Sequence, residues 1–114
     1  MNGGFWENLD RLVVASEVVI DRPAGSVHPR YPGLVYPYDY GYLEGASSSD
    51  GHGIDVWVGS LPVKAVTGVV LTVDTIKRDS EMKLLLGCTP AEAQVILAVH
   101  NTGPQSAILV ERQP

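Results

Sequence analysis

Residues 67–86 read TGVVLTVDTIKRDSEMKLLL. Two strand-like runs, 67–76 and 81–86, flank the polar tetrad Lys77-Arg78-Asp79-Ser80. That spacing predicts a β-hairpin, and it commits the chain to a sheet. Further strands are predicted at 17–21 (EVVID), at Leu34-Val35-Tyr36 with Pro37 ending or edging it, at Ile54–Val58 and at Ala107–Val110. The 54–58 run alternates only weakly, as a largely buried strand does. Composition agrees. The chain has 114 residues, of which 12 are Gly and 8 Pro, and valine dominates the apolar set. Helices alone do not fit; a strand-rich domain with frequent turns does.

Two helices are predicted beside these strands. Phe5, Trp6, Leu9, Leu12 and Val13 recur at helical spacing over 4–14. Thr89-Pro90-Ala91-Glu92 has an N-cap Thr, Pro at the first helical position and Glu at the capping-box position. That helix carries Val95, Ile96 and Val99 on one face and stops near Asn101-Thr102-Gly103-Pro104. No internal repeat or domain boundary is visible. The expectation is one α+β domain over 1–114, built on a curved antiparallel sheet or an OB-like β-barrel, with a short N-terminal helix and one helix in the C-terminal half.

Hydrophobic content of 45% argues against disorder. A formal charge of −5 argues against a general nucleic-acid binder, which needs a basic footprint. It suits a protein that gathers cations. Cys88 is the single cysteine, so no intrachain disulfide can form. It lies just before a helix cap, where a thiol pKa can fall, but no His partner stands near it in sequence, so burial is the expected role. No signal peptide is visible, and no stretch nears the roughly 18 to 20 apolar residues that span a bilayer. A cytoplasmic protein without membrane partners is expected.

Residues 36–58 concentrate the polar chemistry: YPYDYGYLEGASSSDGHGIDVWV. Asp50 and Asp55 flank Gly51 and Gly53, which let the backbone bend so that both carboxylates can turn to one point. Carboxylates sharing a small volume suit a hard divalent cation such as Mg2+. The same residues also suit an acidic loop with no ligand. His52 can coordinate a softer ion, Mn2+ or Co2+, or point to water. His28 and His100 have no cluster of their own and read as structural or exposed. In the hairpin, Asp74, Asp79, Glu81 and Lys83 fall within ten residues. Glu81 and Lys83 share a strand face, either as ordinary surface or as a metal ligand beside a phosphate-binding lysine. Arg30, Tyr36 and Tyr40 can complete such a site, with guanidinium and phenol donors on phosphate oxygens. Arg30 and Lys83 would then be partly exposed cations facing one pocket.

Taken in order, these segments resemble the soluble, Mg2+-dependent inorganic pyrophosphatases of the small β-barrel type. The chain reads as a short, divergent member. Val18-Val19-Ile20-Asp21-Arg22-Pro23 stands where that family has a strand ending in an acidic residue and Pro. Arg30-Tyr31 matches a basic residue followed by an aromatic. Tyr36-Pro37-Tyr38-Asp39-Tyr40-Gly41-Tyr42 is similar to its Y-P-x-x-Y-G-[FY] segment, and Asp50-Gly51-His52-Gly53-Ile54-Asp55-Val56 to its D-G-D-P-x-D-[VL] signature. His52 replaces an Asp and Gly53 a Pro; Pro32 stands where the family has an acidic residue. The resemblance implies hydrolysis of pyrophosphate to phosphate, with Mg2+ as cofactor and Mn2+ or Co2+ as alternatives. It implies that Asp50, Asp55 and His52 are catalytic and that Arg30, Tyr36, Tyr40 and Lys83 bind substrate. Asp50 and Asp55 become metal ligands, joined either by Glu81 or by Asp74 and Asp79. It also implies a homo-oligomer. Hydrolysis of another small phosphoanhydride, such as a nucleotide, and a non-enzymatic phosphate-binding role are the alternatives.

Overall fold

The computed structural model describes residues 3–49 and 51–114. Its elements run α1 Gly3–Val14, β1 Glu17–Arg22, β2 Asp39–Glu44, β3 Ile54–Val58, β4 Val66–Asp74, β5 Asp79–Leu86, α2 Pro90–Val99 and β6 Gln105–Glu111. The six strands form one sheet in the order β1-β2-β3-β5-β4-β6. The predicted hairpin is β4–β5, paired antiparallel from Val66↔Leu86 to Asp74↔Asp79. Its far strand, β5, slots in beside β3, with Val56 opposite Leu84 and Trp57 opposite Leu85.

The β3–β5 pair is parallel, so the sheet is mixed rather than wholly antiparallel. Nor does it close into a barrel: β1 and β6 remain edges. The reason lies in the side chains. A small barrel has one interior, whereas this sheet buries residues on both faces. Leu43, Ile54, Val56, Val69, Leu84 and Leu86 form a core with Leu9 of α1. Trp57, Val70 and Leu85 point the other way and pack with Ala93 and Ile96 of α2 and with Tyr36. Central strands covered on both faces read as near-continuous apolar runs, as Leu84-Leu85-Leu86 does.

Both helices form where the sequence places them. In α1, Leu9 is buried, Trp6, Leu12 and Val13 pack beside it, and Phe5 stays exposed. Asp10 ties the helix to the sheet: Oδ1 accepts from the Val66 amide at 2.9 Å, and Oδ2 accepts from Arg112 at 2.7 Å. The α2 capping box is complete. Thr89 Oγ1 accepts from the Glu92 amide, and Glu92 Oε1 accepts from the Thr89 amide.

Two segments differ from expectation. Leu34-Val35-Tyr36 makes no strand; Val27 and Val35 form an isolated bridge, closed by hydrogen bonds between residues 25–28 and 34–36. Pro23, Pro29, Pro32 and Pro37 deprive this stretch of amide donors. Conversely, 39–44 (DYGYLE) is a full strand, β2, which its turn-forming composition concealed. Gly41 is required there, because a Cβ would lie 1.8 Å from the Val19 carbonyl oxygen of β1. At the other edge, the Asn101 carboxamide donates to the Ala107 carbonyl and accepts from its amide, at 3.2 and 2.9 Å. This covers part of β6, an edge that could otherwise recruit another strand. No helix among the described residues is long and apolar enough to cross a membrane.

Candidate active site

Strand alternation sets the site. On the face that buries Trp57, β2 presents Tyr40 and Tyr42, β3 presents Asp55, and β5 presents Glu81 and Lys83. Register then brings four of these groups together. Tyr40 Oη donates to Asp55 Oδ2 at 2.7 Å. Lys83 Nζ donates to the same carboxylate oxygen at 2.8 Å, to Glu81 Oε1 at 2.9 Å and to Tyr40 Oη at 3.0 Å. Lys83 is 5% exposed, while the Asp55 and Glu81 side chains are 33% and 35% exposed. The ammonium is thus a buried hub, rather than the partly exposed cation expected, and its carboxylates reach solvent.

Burial by itself would lower the Lys83 pKa. The Tyr40 oxygen and the Asp55 carboxylate outweigh it and hold the ammonium above its ordinary value. Burial also raises the Tyr40 phenol well above its usual value, so it stays protonated. Tyr36, 7% exposed, packs its ring 5.4 Å from Tyr40 and 5.8 Å from Trp57, and burial raises its hydroxyl too.

Two clefts border this cluster. The smaller, about 360 Å3, opens at the starts of β3 and β5 and is lined by Ser47, Ser48, Ser49, His52, Asp55 and Glu81, among others. His52 is exposed, and its carbonyl accepts from the Ser48 amide at 2.8 Å and from Ser48 Oγ at 3.1 Å, which shapes the loop. The larger, about 550 Å3, lies over Tyr36, Tyr40, Trp57 and Lys83.

The remaining candidates fall elsewhere. Asp50 lies outside the described residues. Arg30 is exposed on the 23–38 loop and lines neither cleft, so it does not share a pocket with Lys83. Between the two sets of hairpin carboxylates, the structure brings Glu81 to the cluster; Asp74 lines the larger cleft without joining the cluster, and Asp79 lies apart from it. Asp74 Oδ1 accepts from the Ile76 and Lys77 amides, at 3.0 and 2.9 Å, and so builds the β4–β5 turn. Asp79 is exposed opposite it, four residues or about 13 Å along β5 from Lys83. Among the described residues, no three His, Cys, Asp or Glu side chains converge as a metal cage.

A buried polar chain went unnoticed in the sequence. Trp57 Nε1 donates to His100 Nε2 at 3.0 Å, and His100 Nδ1 lies 2.8 Å from Gln105 Oε1. Because indole nitrogen only donates, Nε2 must be the acceptor and Nδ1 the protonated nitrogen. Burial lowers the His100 pKa to about 4. Its signal was the four-residue step from Ile96, which places both on one helix face. Cys88 is buried as expected, and burial raises its thiol to about 11.

A scan against known protein families finds no match for this chain, and a search of curated proteins finds no significant relative.

Proposed function

We propose that the chain hydrolyses a phosphoanhydride with the help of a divalent cation, with inorganic pyrophosphate as the leading substrate. The observation that carries this reading is the meeting of Tyr40, Asp55, Glu81 and Lys83 at 2.7–3.0 Å. These residues come from three strands, and a pyrophosphatase-like order of segments had assigned each of them to substrate or metal.

The donor set fits one cation better than a cluster of them. Asp55, Glu81 and His52 line the smaller cleft. Two carboxylates suit Mg2+, which ordinarily completes its shell with waters and substrate phosphate oxygens. The Lys83 charge offsets one carboxylate and leaves one net negative charge to attract the ion. When bound, such a cation lowers the pKa of a coordinated water and offsets phosphate charge.

The chain's own groups do the rest. Asp55, held by two donors, orients the attacking water and takes its proton. Lys83 stays charged and stabilises negative charge growing on phosphate oxygens. The Tyr40 hydroxyl, kept protonated, holds Asp55 in place. Tyr36 and Trp57 wall the site from water.

Phosphate release from pyrophosphate, measured with Mg2+, Mn2+ and Co2+ in turn, tests the reading. Metal-dependent turnover supports it. Absence of release with all three ions, from pyrophosphate and from ADP alike, overturns it.

A further inference from the structure

The larger cleft has features that pyrophosphate does not need. Six rings run along it, with centroid steps His28–Tyr31 4.8 Å, His28–Tyr36 6.1 Å, Tyr36–Tyr40 5.4 Å, Tyr40–Trp57 4.6 Å and Trp57–His100 5.7 Å. Its volume, about 550 Å3, is that of a small-molecule site. Most of these rings are explained by packing, but Tyr31 is 62% exposed at the mouth. The loop nonetheless fixes its backbone. His28 Nδ1 accepts from the Arg30 and Tyr31 amides at 3.0 and 3.3 Å, and the Tyr31 carbonyl accepts from the Leu34 amide at 2.9 Å. An exposed aromatic surface on a fixed backbone is what a planar ligand stacks on.

Of the charged groups that line this cleft, Lys77 and Lys83 are cationic and Asp74 is anionic. Lys83 is engaged by Asp55 and Glu81, and Asp74 by two turn amides, which leaves the exposed Lys77 to meet an anion.

We propose that this cleft binds a nucleoside phosphate, its base stacked on the exposed face of Tyr31 and its phosphates drawn toward Lys77. The site rests on and deepens the phosphoanhydride reading by naming nucleoside diphosphates and triphosphates as its substrate class, yet its binding step stands without hydrolysis.

Calorimetric titration of the full chain with ADP, adenosine, pyrophosphate and a short single-stranded oligonucleotide tests it. ADP should bind at least tenfold tighter than adenosine. Tyr31→Ala should weaken ADP by about tenfold or more, as loss of one stacked base does, and leave pyrophosphate affinity unchanged. Lys77→Gln should weaken ADP and spare adenosine. Both side chains are exposed, and melting curves verify that the variants fold. Absence of ADP binding overturns the proposal, as does unchanged ADP affinity in Tyr31→Ala or tighter binding of the oligonucleotide than of ADP. ADP binding with no phosphate release from either pyrophosphate or ADP would leave this site standing and remove the hydrolytic reading alone.

Discussion

Lys83 is the residue on which the site turns. Burying an ammonium costs several kcal/mol unless partners compensate, and here three acceptors do. Removing it strands two carboxylates side by side. Lys83→Met should therefore cost about 1–3 kcal/mol in urea unfolding, the range being reduced because Asp55 and Glu81 reach solvent. Phosphate should raise the melting temperature of the wild type and not that of this variant. A variant as stable as wild type would show that the cluster is incidental. His100 makes a different prediction. Folded, it takes up a proton near pH 4; unfolded, near its ordinary 6.5. Between those values the unfolded state holds more protons, so stability falls as pH falls from 6.5 toward 4 and is complete above 6.5. The difference amounts to about 3 kcal/mol. Urea midpoints taken at pH 7 and pH 4.5 should diverge for wild type and converge for His100→Gln, which cannot titrate. Equal divergence in both would assign the effect to other groups.

Among the elements, those with local signals were legible and those shaped by distant neighbours were not. The Thr89-Pro90-Ala91-Glu92 cap closes within one turn, so four letters suffice to announce it. The β4–β5 hairpin is equally local. β2 was hidden because Tyr-Gly-Tyr reads as turn; the demand for Gly41 comes from β1, some twenty residues earlier. The hairpin also decides what Asp74 is for. Its carboxylate oxygen accepts two turn amides, so Asp74→Asn, which keeps an acceptor, should be nearly neutral. Asp74→Ala should cost about 1–2 kcal/mol. Neither should alter Mg2+ affinity in calorimetry. A metal defect in Asp74→Asn with unchanged stability would restore it as a ligand and contradict the turn-building role.

At the level of the molecule, the insertion of β5 between β3 and β4 makes the site. It sets Asp55 and Lys83 on adjacent parallel strands, although 28 positions separate them. The sequence offered their residue types and the two-residue step from Glu81 to Lys83, but not this neighbour relation. Strand order depends on pairings between distant segments, and the parallel step broke the expected antiparallel pattern. Likewise Trp57 and His100 meet across 43 positions, beyond the reach of any periodicity. The two-sided core explains why the sheet stays open, the first of the two expected architectures, rather than closing into a barrel, while Tyr40, Asp55, Glu81 and Lys83 still converge. The most direct test of their joint role is the rate of phosphate release from pyrophosphate at saturating Mg2+, wild type against Asp55→Asn, at a temperature where both are folded. Loss of the carboxylate that orients water should lower the rate by about a hundredfold or more. An Asp55→Asn rate equal to that of wild type would contradict the assignment of catalysis to this cluster.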